Sequence, residues 1–151
     1  MSRPNEFSDS RLTRNLNELL QELRVAQAGV QILFAFLLSV AFTERFAHAG
    51  AFVHTVHLIT VLLTTASAAL LIAPAAWHRV LFRQRRRAEI IRVANFCALS
   101  GLAMLAAAMS ATVLLIVQVV LGPVWGTAIG ALTAALFAAL WFLLPLRTRN
   151  R

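Results

Sequence analysis

Residues 93–120 read VANFCALSGLAMLAAAMSATVLLIVQVV and carry no charged side chain. About 20 consecutive apolar residues suffice for a helix to cross the hydrocarbon of a bilayer, and this run is longer. At that depth no water satisfies the backbone, so a lone segment must bond its own N–H and C=O groups as a helix. Outward from this run, three further windows have the same character, at 25–43, 52–73 and 124–144. They are apolar on every side, unlike the alternating strands of a barrel.

The expected fold class is therefore all-α, a four-helix transmembrane bundle over residues 25–144. Residues 1–24 precede it as a cytoplasmic amphipathic helix, and 145–151 follow as a basic tail. Composition agrees. Of 151 residues, 60% are hydrophobic and 13% charged, against roughly half and a quarter in soluble domains. A chain this small has too little interior to hide so much apolar surface. Soluble enzymes, disordered tails and disulfide scaffolds are excluded together. The one cysteine, Cys97, rules out an internal disulfide or a two-cysteine motif and reads as a small buried hydrophobe.

All 14 basic residues are arginine. Arg3, Arg11, Arg14 and Arg24 precede the first span; Arg79, Arg83, Arg85, Arg86, Arg87 and Arg92 lie between the second and third; Arg147, Arg149 and Arg151 follow the fourth. Only Arg45 falls on the other side. Short arginine-rich loops stay cytoplasmic, so both termini and the central loop are placed on the cytoplasmic side of a bacterial inner membrane. Ala47-His48-Ala49 has the small-x-small look of a signal-peptide cleavage site, but the apolar core before it exceeds the usual 7–15 residues. An uncleaved span is expected.

The formal charge of +8 does not point to nucleic acid. Arg83-Gln84-Arg85-Arg86-Arg87 is short and lacks interleaved stacking aromatics. Its expected counter-charge is anionic lipid headgroups. Trp77 and Trp141 are expected as inner-interface anchors and Trp125 as an outer one. Ahead of the first span, Leu12, Leu16, Leu19, Leu20 and Leu23 share one helical face, with Arg14 and Glu18 spaced as an i,i+4 pair. That face suits an interfacial helix or a contact with another subunit.

Small residues let helices approach in lipid. Gly122, Gly126, Gly130, Ala134 and Ala138 recur every four residues, and Ala103, Ala107 and Ala111 do so in the third span. Gly122-Pro123 turns the chain tightly enough for a hairpin. The glycine ridge is expected to pack within that hairpin or against a second copy. Arg24, Gln27 and Gln31 form a polar stripe on the first span; Thr60, Thr64 and Ser67 form one on the second, with His57 a turn above. Amides and hydroxyls in hydrocarbon seek partners across helices. These stripes either hold the helices in register or line a hydrated path or pocket.

Little here suggests chemistry. No aspartate or glutamate lies inside the four windows, although proton- or sodium-coupled transport usually needs such a group. His54 and His57, with His48 or Glu44, suggest a loose metal site at the outer end. Neither a nucleophile elbow nor a phosphate loop is present. No enzyme activity and no cofactor are expected.

The stretch from Leu19 to Gln31, with Phe36-Leu37-Leu38 and Arg45-Phe46, resembles the opening of a family of small four-span bacterial membrane proteins of unknown function. Ile72-Ala73-Pro74, His78-Arg79 and Val120-Leu121-Gly122 agree with it. The resemblance covers nearly everything after about Leu16 and implies this fold and topology. Some members are labelled sodium:proton antiporters, so it also implies an ion-coupled transporter as the alternative to a structural or oligomeric membrane component. An outer-face metal-binding protein is a third class.

Overall fold

The computed structural model describes residues 4–81 and 87–149. Six α-helices follow one another: α1 (Pro4–Ala41), α2 (Glu44–Ala47), α3 (Ala51–Leu81), α4 (Arg87–Leu121), α5 (Pro123–Ala138) and α6 (Leu144–Arg149), with one π-helical turn, Ala139–Leu143, between the last two. Among the described residues there is no strand. Four helices are long and apolar enough to cross a membrane, over Gln21–Ala41, Ala51–Trp77, Arg92–Leu121 and Pro123–Arg147. Large apolar side chains face outward along all of them, among them Val25, Ile32, Leu62 and Leu132. Soluble monomers do not expose contiguous apolar surface on this scale. The chain fits a multi-pass membrane protein.

No break separates the N-terminal segment from the first span: α1 continues through both. Arg14 Nε lies 3.3 Å from Glu18 Oε1 as an exposed i,i+4 pair.

Burial follows a 3–4 alternation on the two central helices. On α3 the buried positions are His57, Thr60, Thr64, Ser67, Leu71 and Pro74; on α4 one buried seam is Ala94, Ala98, Gly101, Leu105, Ala108, Thr112 and Leu115, with Ala106 and Ser110 buried beside it. Leu23, Val30 and Leu37 of α1 recur every seven. That spacing, averaging 3.5 residues, keeps one seam facing its neighbour along a left-handed crossing. α1 therefore lies on α3 and α3 on α4, while α1 only lightly touches α4. Leu23, Val30, Leu71, Ala98 and Leu105 form the central apolar cluster.

α5 behaves differently. Its buried residues are Gly126 and Gly130, four apart, and four-residue stripes make a close but diverging crossing. A methyl group on Gly126 would stand 2.6 Å from Gln118 Cβ, and one on Gly130 would stand 2.7 Å from Leu114 Cβ. The ridge thus abuts α4 within the hairpin over two turns and then departs: Ala134 and Ala138 are exposed. Instead of closing a bundle, α5 packs on α4 and leaves most of its own surface open.

Three sequence expectations need correction. Gly122 is not a packing residue; a Cβ there would meet nothing within 4 Å. It caps α5 with φ 95°, a conformation that glycine adopts without strain, and Pro123 follows at the first helical position, where no N–H is needed. On α4, Ala103 and Ala107 are exposed, because the buried seam runs through Ala98, Gly101, Leu105 and Ala108. Trp141, expected as an inner-interface anchor, packs against the central cluster, with Phe137 edge-on at 4.9 Å. The reason is Pro145. Lacking an N–H, it cannot bond the carbonyl four residues back, at Trp141, and the wider π turn there shifts the register of the side chains.

Replacing Gly130 with leucine is expected to lower stability by about 1–3 kcal/mol, the usual cost of overpacking. Gly29→Leu, at a site with nothing within 4 Å, is expected to show no such loss. Unfolding in mixed detergent micelles checks both.

Candidate functional site

The buried polar side chains of α3 and α4, with Gln27 of α1, end on backbone carbonyls. Gln27 Nε2 donates to Leu71 O at 2.9 Å. The bond falls in the turn before Pro74, which sits inside α3 and has no N–H for the carbonyl four residues back, Leu70 O; Leu71 O is the next carbonyl along. In a membrane neighbouring helices supply donors to such a turn, and Gln27 reaches into it from α1.

Ser67 Oγ donates to Gly101 O on α4 at 2.8 Å. Gly101 permits the approach, since a Cβ there would lie 2.9 Å from the Leu71 side chain. The third cross-helix bond comes from His57, whose Nε2 stands 2.9 Å from Leu37 O. A carbonyl only accepts, so this nitrogen carries the proton. Thr60 and Thr64, both fully buried, donate within their own helix to Val56 O and Thr60 O, each at 2.7 Å. Ser110 and Thr112 do the same on α4, to Ala106 O and Ala108 O.

The rest of the expected stripe is dispersed. Arg24 and Gln31 are exposed and share no contact with His57 or the threonines. Arg83, Arg85 and Arg86 lie outside the described residues, and Arg87 is the first residue of α4. Cys97 is half-buried and free.

At the connection between α1 and α3 three histidines each meet a carbonyl: His48 Nδ1 at Glu44 O, 2.9 Å, and His54 Nε2 at Phe46 O, 3.0 Å, beside the His57 bond. The ring of Phe46 packs 4.6 Å from both His54 and His57, so an aromatic ring fills the space between the two imidazoles that a shared metal would need. Among the described residues no group of three His, Cys, Asp or Glu side chains is placed to hold a metal ion.

Beneath Phe46, between the C-terminal ends of α1 and α4, lies a cavity of about 180 Å³. Leu37, His57 and Thr112 form its floor, and Arg45 stands at its edge. Sequence reasoning did not find this pocket, because it arises from the gap between two helices that barely touch. Gly101 was also missed, though it is the one glycine of its span and was the available signal. Among the described residues one buried side-chain atom has no hydrogen-bond partner: Gln118 Oε1, on the residue that Gly126 packs against.

The cross-helix bonds predict a graded loss. His57→Phe and Gln27→Leu each remove a cross-helix hydrogen bond and are expected to cost about 1–2 kcal/mol, and Ser67→Ala somewhat less. Gln31→Leu is expected to be neutral. Unfolding titrations of the purified variants measure this.

Neither the curated proteins nor the solved structures contain a match to this chain. A family model does match, over residues 5–145, nearly the whole chain. The protein belongs to that family, a family of unknown function (DUF6328).

Proposed function

We propose that the protein is a non-enzymatic, multi-pass component of a bacterial inner membrane whose polar interior serves helix packing and not ion movement. The observation that carries this reading is the direction of the buried hydrogen bonds. Thr60, Thr64, Ser67, Ser110 and Thr112 each have one hydroxyl proton, and each gives it to a backbone carbonyl. A proton relay needs hydroxyls that donate to one another or to water, and this interior has spent its donors on the backbone. Acidic residues are also absent from the spans Ala51–Trp77, Arg92–Leu121 and Pro123–Arg147, and the first span holds Glu22 only at its edge.

The arginine distribution supports an orientation with both termini and the basic loop in the cytoplasm. There the loop meets anionic headgroups, and the leucine face of residues 12–23, on a helix continuous with the first span, is left for contact with another subunit. The open outer surface of α5, with Leu132 and Leu136 exposed, is the face left for lipid or a second copy of the chain.

The rival reading is an ion-coupled transporter working through Arg24, Gln27, Gln31 and His57. Protein reconstituted in liposomes with a trapped pH dye separates the two. Sodium or potassium pulses are expected to give traces matching empty vesicles. Cation-dependent proton flux that His57→Ala abolishes would establish the transporter instead.

A further inference from the structure

The cavity at the outer end is not consumed by the packing described above. Its floor is buried: Leu37 is 2% exposed, and His57 and Thr112 are each 7% exposed. Its mouth is not, with Phe36 at 41%, Ile116 at 46% and Val119 at 43%. The opening therefore points sideways, between α1 and α4, toward whatever surrounds the helices. From Thr112 to Val119 the α4 wall runs about 10 Å at 1.5 Å per residue. Apolar cavities near 150 Å³ admit a benzene-sized guest, so about 180 Å³ takes a short length of hydrocarbon.

The floor also says what cannot enter. His57 Nε2–H is committed to Leu37 O and the Thr112 hydroxyl to Ala108 O, so neither proton is left for a polar guest. The surface that lines the cavity is almost wholly carbon, which suits an apolar inserted part with any polar part kept at the edge. There stands Arg45, exposed and without an ion-pair partner among the described residues. It is also the one arginine that departs from the thirteen-to-one asymmetry of the chain. A cation above an apolar slot matches an anionic head above a hydrocarbon tail.

We propose that this pocket holds one acyl chain of an anionic amphiphile, with the phosphate or carboxylate of its head on Arg45. The site goes beyond the packing role and rests on that reading only for its membrane setting; a positive flux result would leave it standing.

Delipidated full-length protein in mild detergent, titrated by native mass spectrometry, tests it. The probes are dipalmitoyl phosphatidylglycerol, phosphatidylcholine with the same chains, and palmitate. One anionic ligand is expected to bind the wild type at least fivefold more tightly than phosphatidylcholine. Arg45→Gln is expected to remove that preference, and Ile116→Trp, which fills the mouth, to weaken binding of the anionic ligand at least fivefold. Both variants keep the basic loop, which separates this site from headgroup binding there. Preference for phosphatidylglycerol identifies a bilayer lipid as the source, and preference for palmitate a free fatty acid; either supports the site. Equal first-site affinities for anionic and zwitterionic probes, or an anionic preference unchanged in Arg45→Gln, overturn it. Arg45 is exposed, so this variant decides even if the tryptophan variant does not fold.

Discussion

A polar hydrogen in hydrocarbon has to be given to something, and in this protein it is given to the backbone. Gln27, His57 and Ser67 each span a helix boundary to reach a carbonyl. Together they tie α1 to α3 at two levels and α3 to α4 at a third. Apolar packing alone would not pin these levels, because lipid tails are as apolar as leucine and no hydrophobic force drives helix against helix inside the bilayer. The order of the helices follows. α3 carries all three bonded contacts and lies between α1 and α4, and α5, which makes no such bond in the described structure, sits outside.

Two spacings of small and buried residues divide the architecture. Along α3 and α4 the 3–4 alternation keeps a continuous seam, so these helices stay together from Ala51 to the level of Pro74. Along α5 the four-residue stripe gives two turns of close approach at Gly126 and Gly130 and then divergence. The π turn before Pro145 brings Trp141 back onto the central cluster. Where α1 and α4 do not meet, the gap left between them is the outer pocket.

How much of this was readable follows from which forces act along the chain and which act between helices. The four spans were legible because hydropathy over about 20 residues is a local property. Gly126 and Gly130 carried a readable period, but the sequence did not say whether they would meet α4 or another copy. The roles of Gln27 and Gln31 were not separable: both sit on the same stripe, and only the packing of α1 on α3 decides that Gln27 reaches Leu71 O while Gln31 stays exposed. The alanines at 103 and 107 misled because alanine is common in such spans. The pocket was illegible, since an absence of contact between α1 and α4 has no sequence signature.

The account turns on whether the hydroxyl seam of α3 is dry. Thr64→Cys and Ser67→Cys, each made in a Cys97→Ala background and probed in native membranes with a small, water-soluble, charged thiol reagent, address this directly. A seam whose protons are held by the backbone predicts that both thiols stay unlabelled until the protein is denatured. Rapid labelling of either position in the folded protein would mean that water reaches the middle of the helices, and the packing account would fail.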